Sequence, residues 1–450
     1  MVREIIVIGT GAAGITAASS ARRADPDAKI TVFTEDTDIA YSPCVIPWAV
    51  EGKVAWESVV MHTPEYYSKK KNINILTKTK VDYVDDSAKT VTADGKTYRY
   101  DSLVIAAGGK VFVPPINGMD LEGVFNVRTL QDGKAIQSYL KNVDSVAVCG
   151  AGVVGLEMAF AFSELGKEVT VIEMLDQVIP RVADKDMADI VQEYLEGRGI
   201  KFLLKAPVQS VNGTGKVSGV TAGDKEYPCG MAVFATGVRS NIEIPKQLGL
   251  DIGQLDGVIV SPTLQPYKKR RLVPDIYVAG DIIQCESAVT SRPTMSQLGT
   301  SAVRQGNIAG MNAAGKKEMY GPVASPWVSV IGEKEIAGTG LSLGLAAWYG
   351  IDTVFGKAEG LTRARYYPDA KEMTVKVLAE STTHRIIGAQ ITAGEGATGR
   401  IDWLTAVIIT GITAEDFLVR FENAYCPPTS MVKDVVISAV EDLCRKFKAL

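Results

Sequence analysis

The chain of 450 residues lacks several features that mark common protein classes. It has only 2 histidines, and its 6 cysteines are scattered, with no CxxC pair and no spacing typical of a zinc site. The formal net charge is −4, which gives no indication of a nucleic-acid or acidic-membrane partner. No apolar run is long enough to span a bilayer. We therefore expect a cytoplasmic protein whose cysteines are either buried or chemically reactive.

Glycine, in contrast, is plentiful, and two segments share the pattern GxGxxG between a strand-like run and a helix-like run. The glycines of the two copies are Gly9, Gly11, Gly14, Gly150, Gly152 and Gly155. In such a unit the first glycine makes the turn, the second lets a pyrophosphate approach the backbone, and the third lets the helix pack on the strand. The phosphate then lies at a helix N-terminus, where backbone amides favour an anion. Two complete copies predict two dinucleotide sites.

Other strand ends extend this pattern. The strand after the second fingerprint ends in Glu173, whose carboxylate suits a ribose 2′-hydroxyl and repels a 2′-phosphate, so NADH is favoured over NADPH. Three further buried-strand runs end in glycine, at the edge where α/β sheets bind their ligands. These runs are "DSLVIAAGG" with Ala107 and Gly108, "MAVFATGVRSN" with Gly237, and "PDIYVAGDI" with Gly280 and Asp281.

With these motifs the chain resembles the pyridine nucleotide-disulfide oxidoreductases along essentially its whole length. The resemblance implies an α/β fold with two Rossmann-like dinucleotide-binding domains and a C-terminal α+β dimerisation domain. The expected ranges are 1–118 and 252–320 for FAD, 119–251 for NAD and 321–450 for dimerisation. Asp281 matches the aspartate that binds the FAD ribityl chain, and Glu157 matches a glutamate near the nicotinamide.

The stretch "IAYSPCVIPWAV" contains one cysteine, Cys44, between two prolines. Its position resembles the single-cysteine branch of the family, which includes coenzyme A disulfide reductases, NADH oxidases and peroxidases, and persulfide reductases. In that branch the matching cysteine lies beside the flavin and is redox-active. Proline is tolerated in the first turn of a helix, so Pro47 predicts a helix that begins near Cys44, where amides stabilise a thiolate. The alternative is that Cys44 is a small buried hydrophobe.

The C-terminal sequence resembles the family's dimerisation domain, from which tyrosines of coenzyme A disulfide reductases reach the partner subunit's cysteine. Tyr425 in "YCPPTS" matches one of them, and Tyr366 or Tyr367 in "YYP" is the candidate for the other. A tyrosine there is expected to protonate a leaving thiol, although an interface aromatic is the alternative. Cys426 replaces an alanine of the family, so a redox pair of Cys44 with Cys426 across the dimer is conceivable.

Two further positions depart from the family. Pro43 stands where relatives carry Asn or Ser before the cysteine, which removes a backbone donor next to the thiol. The acidic residue expected at the FAD ribose aligns with Thr34, and Glu35 follows one place later. Because a one-residue shift turns a strand side chain to the other face, either Glu35 binds from the strand end or Thr34 replaces it.

The resemblance predicts a homodimeric enzyme with FAD and NADH as cofactors that reduces a disulfide, persulfide or polysulfide. Two clusters of cations, Arg22–Arg23 and Lys69–Lys71, resemble positions that contact coenzyme A in relatives. Arg23 and Lys71 are the candidate substrate-binding residues. One alternative is a flavoprotein subunit that passes electrons from NADH to an iron–sulfur partner or a larger complex and needs no reactive cysteine. A second alternative, an NADH oxidase or peroxidase, is disfavoured because the first glycine loop has no histidine.

Overall fold

The computed structural model describes residues 2–449, which form two compact units. The first unit runs up to Phe112 and takes in Val238–Ser287 and Ser291–Val323. The second unit comprises Val113–Gly237, Ala288–Thr290 and the chain from Ala324 onward. The finer borders drawn from the sequence, at residues 118, 251 and 320, stay predictions.

A 5-stranded parallel sheet forms the centre of the first unit. Its strands, in spatial order, are Ile276–Val278, Ser102–Ile105, Glu4–Ile8, Lys29–Phe33 and Ile73–Leu76. The central strands are almost entirely buried, as expected of a parallel sheet with helices on its faces. Parallel strands place their carboxyl ends at one edge, so the segments that follow them meet there.

Smaller sheets and seven helices complete the first unit as far as it is described. The antiparallel strands are Val81–Asp85, Thr90–Ala93 and Lys96–Arg99; Gly109–Val111 with Val238–Ser240; and Tyr267–Lys268 with Arg271–Leu272. A mixed 3-stranded sheet is formed by Val258–Ile259, Ile283–Glu286 and Pro293–Thr294. The helices are Ala12–Ala24, the 3-10 turn Pro43–Val45, Ile46–Glu51, Trp56–Val59, Pro64–Lys71, Glu243–Gln247 and Gly299–Ala313.

Two helices from distant parts of the chain pack closely against each other in the first unit. Gly306 and Gly310 of the helix Gly299–Ala313 face Ala13 and Ala17 of the helix Ala12–Ala24. A Cβ at either glycine would collide with the backbone carbonyl of the facing alanine. Only glycine allows this approach, which closes the core over the glycine-loop strand.

The second unit contains another 5-stranded parallel sheet. In spatial order its strands are Lys201–Leu203, Glu168–Ile172, Ser145–Cys149, Met231–Phe234 and Val124–Asn126. An antiparallel meander of Val208–Thr214, Lys216–Ala222 and Lys225–Pro228 packs beside it. The helices of this half are Leu130–Tyr139, the 3-10 turn Leu140–Asn142, Val153–Glu164 and Lys185–Glu196.

The remainder of the second unit is built on a 5-stranded antiparallel sheet. In spatial order its strands are Trp327–Ile331, Lys334–Gly340, Ile386–Ala393, Glu372–Glu380 and Thr353–Leu361. Its helices are Leu343–Trp348, Ala397–Thr410, Ala414–Arg420 and Val435–Phe447. Wholly buried side chains such as Phe417, Leu404 and Val440 fix these helices on the sheet. Within the described residues, no helix is long and apolar enough to cross a membrane.

A buried lysine joins the antiparallel sheet to the helix Lys185–Glu196 within the second unit. Lys376 is 2% exposed, and its Nζ lies 2.9 Å from the carboxylate of Asp184 and 2.7 Å from that of Asp186. The ring of Phe355 lies 4.4 Å from the same ammonium group. Because the charge is buried, it depends on these carboxylates for compensation.

Candidate active site

The first glycine loop turns the chain from the strand Glu4–Ile8 into the helix Ala12–Ala24. Gly9 has a φ of +107°, and a Cβ there would collide with the carbonyl oxygen of Ala106. At Gly11, which precedes the helix, nothing lies within 4 Å of the place where a Cβ would be. No side chain caps the helix N-terminus. The loop therefore has room for a pyrophosphate against backbone amides, which is the fit that FAD requires.

The second glycine loop repeats this geometry in the second unit. Gly150 has a φ of +110°, and nothing lies within 4 Å of a Cβ placed on Gly152. A Cβ on Gly155 would collide with the carbonyl oxygen of Gly150. In the first loop, a Cβ on Gly14 would collide in the same way with the carbonyl oxygen of Gly9. Both third glycines thus allow the helix to pack on its strand, and the second loop fits a second dinucleotide.

Glu173 lies at the carboxyl edge of the second parallel sheet. Its buried carboxylate accepts hydrogen bonds from the N–H groups of Ala151 (2.8 Å) and Leu175 (3.0 Å). A carboxylate can accept about four hydrogen bonds, so Glu173 has acceptor capacity left for a ribose hydroxyl. Gly237 follows the strand Met231–Phe234 at the same edge, with a φ of +106° and nothing within 4 Å of a Cβ. Both residues therefore lie where the sequence predicts them.

Thr34 has in the first unit the position that Glu173 has in the second. The N–H of Gly9 donates to the carbonyl of Phe33, the residue before Thr34, at 2.8 Å. In the second unit the N–H of Gly150 donates in the same way to the carbonyl of the residue before Glu173, also at 2.8 Å. The buried hydroxyl of Thr34 accepts from the N–H of Asp36 (3.2 Å) and donates to its carboxylate (3.4 Å). The carboxylate beside Thr34 is therefore that of Asp36, a residue that the motifs do not single out.

The loop that contains Asp281 follows the edge strand of the first sheet. Gly280 has a φ of +88°, and its N–H donates to the side-chain oxygen of the wholly buried Gln305 at 2.7 Å. The backbone carbonyl of Asp281 accepts from the hydroxyl of Ser240 (2.9 Å) and from the amide of Gln297 (3.1 Å). These bonds fix the backbone on both sides of the carboxylate expected at the ribityl chain.

Ala107 and Gly108 continue the neighbouring strand, Ser102–Ile105, at the same edge. Gly108 has a φ of +63°, and its carbonyl accepts from the N–H of Asn241 at 2.9 Å. The two segments expected beside FAD therefore lie at the ends of adjacent strands.

Cys44 lies in the 3-10 turn Pro43–Val45, which leads directly into the helix Ile46–Glu51. Pro47 occupies the first turn of that helix, so the predicted helix start near Cys44 is confirmed. The thiol residue is exposed, whereas Pro47 is buried. A packed helix therefore begins directly after an exposed cysteine.

Other cysteines have different surroundings. Burial raises the pKa of Cys149 strongly and raises the pKa values of Cys229, Cys285 and Cys444 to about 11. Cys285 also directs its thiol to the carbonyl of Thr294 at 3.5 Å. Because the thiolate is the reactive form, the raised pKa values of these four disfavour a reactive role, and the exposed cysteines are Cys44 and Cys426.

The two clusters of cations that resemble coenzyme A contacts are joined through Arg22. Arg22 donates to the carbonyls of Lys71 (3.2 Å) and Asn72 (2.7 Å), so it fastens the end of one helix to the end of another. Arg23 is exposed and donates to Ser20 at 2.8 Å, and the side chain of Lys71 is exposed. Arg23 also donates to Asn307 on the helix Gly299–Ala313 at 3.1 Å, so it is Arg22, not Arg23, that contacts the segment of Lys71.

Glu157 is a half-buried residue on the helix Val153–Glu164, which follows the second glycine loop. The hydroxyl of Ser329, on the strand Trp327–Ile331, donates to it at 2.6 Å. Burial raises the pKa of Glu157 to about 7, against a smaller lowering by this bond. The carboxyl group can therefore change charge near neutral pH, as groups at functional sites often do.

Tyr366 and Tyr425 form a hydroxyl–hydroxyl hydrogen bond of 2.7 Å. The bond to Tyr366 is the main cause that raises the pKa of Tyr425. Tyr367 does not join this pair; its ring lies 5.8 Å from the guanidinium of Arg363. Of the two adjacent candidates, the structure therefore pairs Tyr366 with Tyr425, and Cys426 follows directly as an exposed thiol.

Comparison with known proteins identifies the family. Residues 3–306 match the family described as pyridine nucleotide-disulphide oxidoreductase, and residues 327–434 match its dimerisation domain. The chain belongs to the pyridine nucleotide-disulphide oxidoreductase family. It is therefore an oxidoreductase with a dimerisation domain, and the predicted family and fold class are confirmed.

Several members of this family are similar over nearly their whole length. An NADH oxidase of Methanocaldococcus jannaschii is 43% identical over 450 residues, which cover 98% of this chain and 99% of that protein. The NAD(P)H coenzyme A polysulfide/persulfide reductase of Pyrococcus horikoshii is 33% identical, with 97% of each chain covered. The solved structure of an NAD-dependent persulfide reductase from A. fulgidus has a TM-score of 0.94 and 32% identity, covering 99% of this chain and 84% of that one.

Sequence motifs missed three residues that the structure places beside predicted ones. Asp36 contacts Thr34, Ser329 contacts Glu157, and Gln305 bonds the loop of Asp281. Asp36 offered a signal, since it is an acidic residue within two places of the strand end. Ser329 and Gln305 offered none, because the contacts they make span 172 and 25 positions of sequence.

Proposed function

We propose that this family member uses NAD(P)H, through bound FAD, to reduce the sulfur–sulfur bond of a disulfide, persulfide or polysulfide. The observation that carries the proposal is the exposed Cys44 at the start of a packed helix, in the unit whose glycine loop fits FAD. The names of the Pyrococcus horikoshii relative and the A. fulgidus neighbour, a polysulfide/persulfide reductase and a persulfide reductase, support a sulfur substrate.

Residues of the first unit hold FAD in this proposal. Gly9, Gly11 and Gly14 accommodate the pyrophosphate, Asp36 beside Thr34 binds the adenosine ribose, and Asp281 binds the ribityl chain. Ala107 and Gly108 border the same site. The exposed Glu35 is the rival of Asp36 for the ribose. When bound, FAD supplies two-electron chemistry, since it takes a hydride from NAD(P)H and passes both electrons to a sulfur centre.

Residues of the second unit hold the nicotinamide nucleotide. Gly150, Gly152 and Gly155 accommodate its pyrophosphate, and Gly237 borders the site. Glu173 accepts from the ribose hydroxyl and disfavours a 2′-phosphate, so NADH is the preferred donor. Glu157 lies next to the nicotinamide, where its change of charge affects the hydride-transferring end of the cofactor.

Cys44 performs the sulfur chemistry. Its thiolate attacks one sulfur of the substrate, so that a new Cys44–S bond forms, the S–S bond breaks and the second sulfur leaves as a thiolate. The leaving sulfur takes a proton from Tyr425, which is in turn bonded to Tyr366. The two electrons of NAD(P)H then break the mixed disulfide. The sum is NAD(P)H, one proton and RSSR′ converted to NAD(P)⁺, RSH and R′SH.

The same comparisons support a proposal for the substrate and the subunit arrangement. Arg23 and Lys71 suit the phosphates of a coenzyme A group, which appears in the name of the Pyrococcus horikoshii relative. The dimerisation domain makes a homodimer the expected state, with Tyr425 and Cys426 of one subunit serving Cys44 of the other. Cys426 is the second exposed thiol, so a disulfide between Cys44 and Cys426 is a testable part of the cycle.

The deciding experiment is the intact mass of thiol-blocked protein before and after anaerobic NADH, with Cys44→Ser beside it. We expect an adduct on Cys44 that NADH releases, and its mass identifies coenzyme A, sulfur or a link to Cys426. Turnover with coenzyme A disulfide or polysulfide should be lost in Cys44→Ser. An unmodified Cys44 and unchanged turnover in the variant would refute the proposal.

The name of the Methanocaldococcus jannaschii relative favours a second candidate function, the reduction of oxygen by NADH. The first glycine loop has no histidine that could assist peroxide chemistry at the cysteine. Oxygen uptake measured with and without polysulfide distinguishes the two functions. A ferricyanide assay on Cys44→Ser tests the iron–sulfur electron-transfer role, because one-electron transfer needs no cysteine.

A further inference from the structure

Tyr366 and Tyr425 belong to two irregular loops of the second unit. The hydrogen bond between their hydroxyl groups requires contacts that fix the position of one loop relative to the other. Tyr366 lies between the strands Thr353–Leu361 and Glu372–Glu380, and Tyr425 lies between the helices Ala414–Arg420 and Val435–Phe447. Tyr366 is 75% exposed and Tyr425 is 42% exposed. Apolar burial therefore cannot fix the contact between their hydroxyl groups.

The loop of Tyr425 lies against a cavity of about 370 Å³, which is lined by Ala424, Asn423, Asp434, Trp403 and Arg400 among others. Because there is open space on this side, the position of the loop depends on polar contacts. Asn423 supplies some of them, since its amide donates to the carbonyl of Met431 (3.0 Å) and its oxygen accepts from the N–H of Asp434 (3.2 Å).

Arg400 contacts both loops from the helix Ala397–Thr410. Its guanidinium pairs with the carboxylate of Asp434, with Nε 2.8 Å and Nη2 2.7 Å from Oδ2. Nη2 also donates to the backbone carbonyl of Thr362 at 3.3 Å, four residues before Tyr366. The side chains of Arg400 and Asp434 are only 12% and 4% exposed, so the pair is largely shielded from solvent.

Asp434 transmits this contact to the loop of Tyr425. Its carboxylate accepts from the N–H of Val436 at 3.0 Å and so caps the helix that ends the loop. Between the two loops, the N–H of Ala364 donates to the carbonyl of Pro427 at 3.2 Å. Arg400 thus joins the segment before Tyr366 to the segment after Tyr425.

We propose that Arg400 is a positioning residue that holds Tyr366 and Tyr425 within hydrogen-bonding distance, and so controls proton delivery to the leaving sulfur. The part of this inference that concerns proton delivery to sulfur rests on the proposed function, whereas the part that concerns the distance between the two tyrosines does not. A bidentate guanidinium fixes the angle as well as the distance to a carboxylate, which a lysine cannot do. Loss of this fork is therefore expected to separate the hydroxyl groups without removing either tyrosine.

The test compares Arg400→Lys and Arg400→Gln with Arg420→Gln. The control Arg420→Gln makes the same loss of charge as Arg400→Gln, at an exposed arginine that ends the helix before the loop. Protein labelled with ¹³C at the tyrosine Cζ is titrated by NMR, and Tyr425→Phe assigns the signal. The raised pKa of Tyr425 should fall towards its ordinary value in both Arg400 variants and stay unchanged in Arg420→Gln. An unchanged Tyr425 titration in well-folded Arg400→Lys would overturn the inference.

Kinetics supply a second readout. Turnover with coenzyme A disulfide or polysulfide should fall about 10- to 100-fold in kcat for the Arg400 variants, because a displaced proton donor loses most of its contribution. NADH–ferricyanide turnover should not change, since it needs no proton donor at sulfur. If wild-type protein reduces neither sulfur compound, the proposed function fails, and the tyrosine titration still decides the role of Arg400. If Arg400→Gln does not fold, Arg400→Lys and Asn423→Ala carry the same comparison.

Discussion

The contact of Ser329 with Glu157 leads to a prediction about pH. Ser329→Ala removes a donor that lies 2.6 Å from a carboxylate whose pKa burial has raised to about 7. The substitution leaves the burial of Glu157, which is the larger influence on its pKa, unchanged. It removes the hydrogen bond from Ser329, which lowers that pKa. We therefore expect Glu157 to stay protonated to a higher pH in the variant than in the wild type.

The size of this effect follows from the charge on the acceptor. A hydrogen bond to a charged group contributes about 1.5–3 kcal/mol, and a tenfold change in proton affinity corresponds to about 1.4 kcal/mol. Loss of the Ser329 bond is therefore expected to raise the pKa of Glu157 by about 1 to 2 pH units. A new water molecule at the site would reduce this figure, so the lower end is the safer expectation.

The same carboxylate makes stability depend on pH. Between its usual value of 4.5 and about 7, Glu157 is ionised in the unfolded chain but protonated in the folded one, so stability falls as pH rises. The full difference across this window is about 3 kcal/mol. Glu157→Gln, which stays neutral and can still accept from Ser329, should therefore gain stability over the wild type as pH rises from 4.5 to 8.

Thermal unfolding measured every half pH unit checks this expectation, with Glu164→Gln on the exposed side of the same helix as the matched control. The gap in Tm between Glu157→Gln and wild type should widen through the window and then level off. The curve for Glu164→Gln should stay parallel to that of the wild type. If the curves of Glu157→Gln and wild type are also parallel, Glu157 does not titrate in this range and the reasoning is refuted.

Three further outcomes are expected. Asp36→Asn should weaken FAD binding to the apoprotein by about tenfold, a loss typical of one charge-assisted hydrogen bond, whereas Glu35→Gln should have little effect; equal losses in a fluorescence titration would contradict the assignment. Lys376→Met leaves the buried Asp184 without its cation and should lower the free energy of unfolding by about 3–5 kcal/mol, measured as a urea midpoint shift at constant slope. Glu173→Gln should reduce the ratio of kcat/KM for NADH to that for NADPH, and an unchanged ratio would exclude its ribose role.

Sequence alone predicted the parts of the site that are local in the chain. The two GxGxxG turns are determined by backbone conformation within a few residues, so their geometry at Gly9 and Gly150 follows directly from the pattern. The helix start after Cys44 was likewise predictable, because Pro47 tolerates few other positions. Resemblance to the family added the roles that spacing does not define.

Contacts between distant segments were not predictable in the same way. Two adjacent tyrosines, Tyr366 and Tyr367, are equivalent in sequence, and only the course of the loop directs one of them to Tyr425. The carboxylate that contacts Thr34 is that of Asp36, because the chain bends after the strand ends. Such choices depend on tertiary packing, which overrides local pattern.

The close packing of Gly306 and Gly310 on Ala13 and Ala17 has a consequence for biosynthesis. The N-terminal part of the first unit is synthesised before its edge strand, Ile276–Val278, and before the helix Gly299–Ala313. Both of these follow the inserted segment Val113–Gly237 in the chain. At about 5–20 residues per second, the intervening stretch of roughly 200 residues takes about 10 to 40 seconds to translate. Throughout that interval the nascent sheet has an uncovered apolar face, and transiently exposed apolar surface promotes aggregation. Circular permutants that place the segment from Val238 to Val323 before the present N-terminus would remove this delay.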